Sequence, residues 1–113
     1  MAARTDHVIG VDDGPFPAGH RGDVDLIGAV CAGARLDSVL RSRVRRDGAN
    51  ATVRIAEMIA ASRYVEQLQL VLLQGIAVAG FNVVDIEVLH RSLGFPVVVV
   101  ARRRAVWDAI RCA

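Results

Sequence analysis

Leu68-Gln69-Leu70-Val71-Leu72-Leu73-Gln74-Gly75-Ile76-Ala77-Val78-Ala79-Gly80-Phe81-Asn82-Val83-Val84-Asp85 is the stretch around which the other elements arrange themselves. It begins as an almost unbroken apolar run, too short to span a membrane, which is how a strand buried on both faces of a parallel sheet reads. Gly75 and Gly80 then loosen the backbone, Asn82 is of a type that caps helices, and an amphipathic segment follows. Strand, glycine-bearing loop and helix together form the unit that presents polar groups at the carboxyl edge of an α/β sheet.

A chain of 113 residues is expected to form one domain with a core of modest size. Its 53% hydrophobic and 23% charged content exclude a disordered polyelectrolyte. No apolar stretch reaches membrane-spanning length and Met1 to Asp6 leads into no signal-peptide core, so a cytoplasmic protein with no membrane partner is expected. Cys31 and Cys112 lack metal-site spacing and read as reduced packing thiols. The net charge of +2 does not by itself imply nucleic acid. All fourteen basic residues are Arg, however, and Arg suits bidentate phosphate contacts better than Lys does, although genomic base composition gives the same bias.

Outward from the central stretch, His7-Val8-Ile9-Gly10-Val11 is a short apolar strand running into Asp12-Asp13-Gly14-Pro15, a turn with two carboxylates. Phe16 to Gly22 reads as a loop, and Val24 to Ala32 as a second strand with Gly33 at a hairpin turn. Leu36 to Arg46 alternates, with Leu36, Ser38, Leu40, Ser42 and Val44 on one face and Asp37, Val39, Arg41, Arg43 and Arg45 on the other. The three arginines form a basic ridge, either a nucleic-acid contact or an ordinary solvated face. Asp47-Gly48 ends that strand and Asn50 caps a helix from Ala51 to about Tyr64, in which Ile55, Met58, Ile59 and Ser62 follow helical spacing.

Beyond the central strand, Asn82 to Asp85 has capping-box spacing, and Ile86, Leu89 and Leu93 form the stripe of a second helix that Gly94 ends. Phe95 to Ala101 is a second parallel strand, Arg102-Arg103-Arg104 follow it, and Ala105 to Ala113 starts a third helix around Val106, Trp107 and Ile110. The order β-β-β-α-β-α-β-α predicts an α/β ribonuclease H-like mixed sheet, a three-strand antiparallel meander plus two parallel strands, flanked by helices. A small doubly wound α/β domain is the alternative.

Gly10-Val11-Asp12-Asp13-Gly14-Pro15-Phe16, Leu73 to Asp85 and Gly94-Phe95-Pro96-Val97-Val98-Val99-Val100 together resemble domain-of-unknown-function family 99, the endonuclease dU family, which is related to endonuclease V. Asp47-Gly48 with Asn50-Ala51-Thr52 is similar to that family's loop before the first helix, where Asp is more usual than Asn50. The resemblance covers about residues 7 to 104. It implies a metal-dependent endonuclease that uses Mg²⁺ or Mn²⁺ on DNA carrying a deaminated base such as deoxyuridine or deoxyinosine. By similarity, Asp12 is the metal-binding carboxylate ending the first strand and Asp47 a second acid, these two forming the catalytic pair. Gln74 falls where endonuclease V has an Asp, and a neutral amide is a poorer ligand for a hard cation. Family members also continue for several more elements, so the C-terminus reads as shortened.

Phosphodiester hydrolysis on divalent metal needs several converging oxygen ligands. Asp12 and Asp47 end two strands of the meander and can converge at one sheet edge, whereas Asp13 points to the other face. Asp85 is a further candidate ligand, with the simpler role of offsetting the dipole at a helix start. Arg41, Arg43, Arg45, Arg102 and Arg103 are the candidate DNA contacts. Two other readings stay open: a nucleic-acid-binding domain of this fold without catalysis, and an oligomeric scaffold in which a second copy covers apolar surface near Trp107.

Overall fold

A computed structural model describes residues 7–17 and 19–100. The chain runs through β1 (His7–Asp13), β2 (Asp23–Ala32), β3 (Arg35–Arg45), α1 (Ala51–Ala60), β4 (Leu68–Leu73), β5 (Ala77–Val78), β6 (Asn82–Val83), α2 (Ile86–Leu93) and β7 (Val97–Val99). One sheet has the order β3-β2-β1-β4-β7, and β5 and β6 form a separate two-stranded hairpin. The meander is antiparallel, while β4 pairs with β1 and β7 with β4 in parallel. The expected mixed sheet is therefore present, with the Leu68 strand in the interior beside the first strand.

Alternation assigns the two sheet faces. In β1, Ile9 and Val11 are buried while Val8 and Gly10 are only half-buried, and β2 repeats the pattern with Val24, Leu26 and Val30 buried. The buried set meets Ile55, Met58 and Ile59 of α1 and Leu89 of α2 in one cluster. Since α1 packs on both β3 and α2, and α2 on β7, both helices lie on this face. Gly28 lets α1 approach closely, because a Cβ there would meet Met58 Cε at 2.9 Å. Neither described helix packs on the opposite face, where Val8, Gly10, Ile27, Ala29 and Leu72 remain half-buried.

Several boundaries differ from the sequence expectation. Helix α1 stops at Ala60 rather than near Tyr64, as Ser62 Oγ accepts the Tyr64 N–H at 2.9 Å and competes with the helical ladder. Asn82 does not start the second helix. It lies fully buried in β6, and Asp85 is the N-cap of α2, its Oδ1 accepting from Glu87 and Val88 N–H at 3.1 Å. The segment expected to be a glycine-rich loop contains the β5–β6 hairpin, in which Gly80 supplies φ +84°. Strand β7 is shorter than expected, and its residues are half-buried or exposed because it lies at the edge of the described sheet. In α2 only Leu89 is buried, and Ile86 is 37% exposed. Gly94 ends that helix as expected, with φ +86°. Cys31 is a free cysteine, half-buried rather than fully in the core. The expected third helix, Trp107, Cys112 and Arg102 to Arg104 lie outside the described residues.

Candidate functional site

Parallel pairing of β1 with β4 sets the site. Val11 registers with Leu73, so the next residues along each strand, Asp12 and Gln74, emerge together at the carboxyl edge of the sheet. Both line a concavity of about 410 Å³ with Asp13, Gly75, Ile76, Ala77, Val78 and Gly80. They also share a second one of about 320 Å³ that opens beside Gly10, Leu72 and Val100. Asp12 is half-buried, with its Oδ1 accepting the Asp13 N–H at 2.9 Å, and Gln74 is exposed.

The other acids at this edge are engaged with the hairpin. Asp13 Oδ2 accepts the Ala79 N–H at 2.7 Å, while Ala79 O accepts the Asp47 N–H at 2.9 Å. Asp47 Oδ1 takes the Phe81 N–H at 2.9 Å, and its Oδ2 lies 3.6 Å from Arg46 Nε. The hairpin thus bridges the end of β1 and the turn after β3. Asp47 follows the end of β3 and lines a different concavity from Asp12. That one measures about 690 Å³ and is bordered by Gly19, His20, Arg21, Gly22, Arg45 and Arg46. Asp85 is spent on capping α2 and lines neither the Asp12 concavities nor the one at Asp47.

Asn82 fixes this arrangement, and the sequence reading missed it. Its Oδ1 accepts the N–H of Ala51, the first residue of α1, at 2.9 Å, and its Nδ2 donates to Arg45 O and Asn50 Oδ1 at 2.8 Å. One side chain thereby ties the hairpin, the end of β3 and the start of α1. Asn50, the N-cap by position, makes no side-chain cap bond of its own. The basic ridge is also less exposed as charge than the pattern implied. Arg41 Nη2 pairs with Asp25 at 3.0 Å and Arg43 Nε with Asp23 at 4.0 Å, both acids from the neighbouring strand. Arg45 instead joins Arg21 and Arg46 around the Asp47 concavity, a grouping of residues distant in sequence.

Among the described residues no three His, Cys, Asp or Glu side chains form a metal-binding group. The donors at the Asp12 edge, one carboxylate and one amide, do not suit a cage of protein ligands. They do suit Mg²⁺ or Mn²⁺ held largely by water and substrate phosphate, the usual arrangement for a cation bound by one or two protein oxygens. No described helix is long and apolar enough to cross a membrane.

Comparison with known proteins gives a consistent assignment. Residues 4–113 match the family endonuclease dU. A UPF0215 protein of Deinococcus radiodurans is 54% identical over 110 residues, covering 97% of this chain and 56% of that protein. A UPF0215 protein of Methanothermobacter thermautotrophicus is 44% identical over 107 residues, covering 94% and 52% respectively. The chain thus spans about half the length of the curated relatives it matches. A crystal structure of a protein of unknown function from Archaeoglobus fulgidus superposes with TM-score 0.78 at 31% identity, over 95% of this chain and 62% of that one. Endonuclease V from Bacillus subtilis superposes with TM-score 0.52 at 14% identity, over 88% and 45%, which establishes a shared fold. Matched along nearly its whole length, the chain belongs to the endonuclease dU family.

Proposed function

We propose that the Asp12–Gln74 edge is the phosphodiester-cleaving site of a divalent-metal-dependent endonuclease acting on DNA with a deaminated base. The observation that carries this reading is the β1–β4 register, which brings Asp12 and Gln74 side by side at the rim of open concavities. Membership of the endonuclease dU family and the fold shared with an endonuclease V support it.

In this reading Asp12 supplies the negative charge of the site and Gln74 an amide oxygen, the pair holding Mg²⁺ or Mn²⁺. Bound there, such an ion supplies Lewis-acid stabilisation of charge developing on a phosphate oxygen. Asp13 and Asp47 act through the hairpin, holding Ala79 and Phe81 against the strand ends. Arg21, Arg45 and Arg46 form the cationic side of the edge, suited to backbone phosphates of the DNA partner.

The test is incubation of the purified chain and Mn²⁺ with duplexes containing uracil or hypoxanthine. The expected result is weak nicking, lost in Asp12→Ala and unchanged or increased in Gln74→Asp. Nicking that survives Asp12→Ala excludes this site. The engagement of Asp13 and Asp47 with the hairpin and the amide at Gln74 favour a second reading, a nucleic-acid-binding domain without catalysis. Salt-sensitive DNA binding without cleavage at any metal concentration would establish it.

A further inference from the structure

Phe81 is 80% exposed, the most exposed of the large hydrophobic side chains described. Its backbone is held firmly. The Phe81 N–H is bound by Asp47, the next residue is fully buried Asn82, and buried Ala79 is clamped between Asp13 and Asp47. Gly80 makes the turn at φ +84°, and a Cβ there would run into the Asp47 carboxylate. The ring is therefore displayed at the tip of a fixed hairpin, where leaving an aromatic face in water costs free energy that nothing in the described fold recovers.

The position of the tip says what the ring can meet. Gly80 borders the concavity of Asp12 and Gln74, while Asp47, which holds Phe81, borders the concavity of Arg21, Arg45 and Arg46. An exposed aromatic ring whose neighbour borders a polar edge and whose backbone partner borders a cationic groove is the combination that binds single-stranded nucleic acid, with arginines on the phosphates and the ring under a base. Ile76 and Val83 on the same segment are also exposed, at 54% and 56%.

We infer that Phe81 is a stacking platform for an unpaired base of a DNA strand whose phosphates lie along Arg21, Arg45 and Arg46. The inference rests on the nucleic-acid reading of the site and adds to it the group that contacts a base. It requires that binding favour strands with a base free to stack, because a base inside an intact duplex already stacks on its neighbours.

The test is fluorescence anisotropy of labelled single-stranded and fully paired oligonucleotides of equal length with the full chain, in metal-free buffer across a salt series. Phe81→Ala should weaken single-strand binding roughly tenfold or more and duplex binding much less, with the salt slope unchanged. Phe81→Trp should retain wild-type affinity. Arg45→Ala should instead reduce the salt slope by about one. Thermal melts of each variant separate lost contact from lost fold, and a folded Phe81→Ala with wild-type single-strand affinity overturns the platform while leaving the Asp12 site standing. Equal loss on single strand and duplex also overturns it, as does self-association of the wild type that Phe81→Ala abolishes with DNA affinity unchanged. Wild type that binds no DNA in either form overturns this inference and the nucleic-acid reading together.

Discussion

Asn82 carries more of the site than any acid does, because three backbone segments depend on one buried amide. Both ends of that amide are used, the oxygen as acceptor and the nitrogen as donor. Asn82→Asp keeps the bond from Ala51 N–H but turns the other two contacts into oxygen facing oxygen. Asn82→Ala leaves the buried Ala51 N–H without its acceptor, at about 1–3 kcal/mol for an unsatisfied group. Chemical denaturation should show both variants destabilised, and Phe81→Ala, an exposed site, close to wild type. In the sequence Asn82 has the look of a helix cap, since it stands two residues after Gly80 and three before Asp85. Only the hairpin, too short to show a periodic pattern, turns it inward. Asp85 could be read for its dipole role because that role is local in sequence. Phe81 went unnoticed since exposure depends on the same hairpin.

At the scale of elements, the meander is pinned at the edge opposite the site by a small charged group. His7 Nε2, on β1, donates to Asp37 Oδ2 on β3 at 2.7 Å, and Arg35 Nε donates to Asp37 Oδ1 at 2.7 Å. The Arg35 hydrogen bond, with that of His7, holds the Asp37 carboxyl below its ordinary value. A carboxylate with a lowered folded-state pKa stabilises the fold above its unfolded pKa, and this contribution is lost as pH falls through the lower folded value. Asp37→Asn should therefore lower the denaturation midpoint at neutral pH, and the gap from wild type should close on acidification below about pH 4. A gap independent of pH would assign the effect to packing. Strands β1 to β4 and α1 were legible because their apolar patterns extend over six or more residues. Arg41, Arg43 and Arg45 were legible as a face, but the pairing of Arg41 with Asp25 and of Arg43 with Asp23 depends on the β2–β3 register, which alternation alone does not specify.

For the whole molecule, topology decides which acids can act together. The crossover from β3 through α1 places β4 beside β1, and the register that follows brings Asp12 to Gln74 from distant parts of the chain. The sheet itself was legible, since a meander followed by helical crossovers leaves few arrangements. Which carboxylates the hairpin engages was not, because no pattern reveals the amides that bind Asp13 and Asp47. The most direct test of Asp12 and Gln74 as one cation site is a thermal shift with Mn²⁺ on wild type, Asp12→Ala and Gln74→Asp. At ten times the dissociation constant, binding stabilises by about 1.4 kcal/mol, a shift of several degrees for a domain of this size. Wild type should show a rise that grows with the logarithm of Mn²⁺ above the dissociation constant, Gln74→Asp a rise starting at lower Mn²⁺, and Asp12→Ala none. An equal rise in Asp12→Ala and wild type would contradict it.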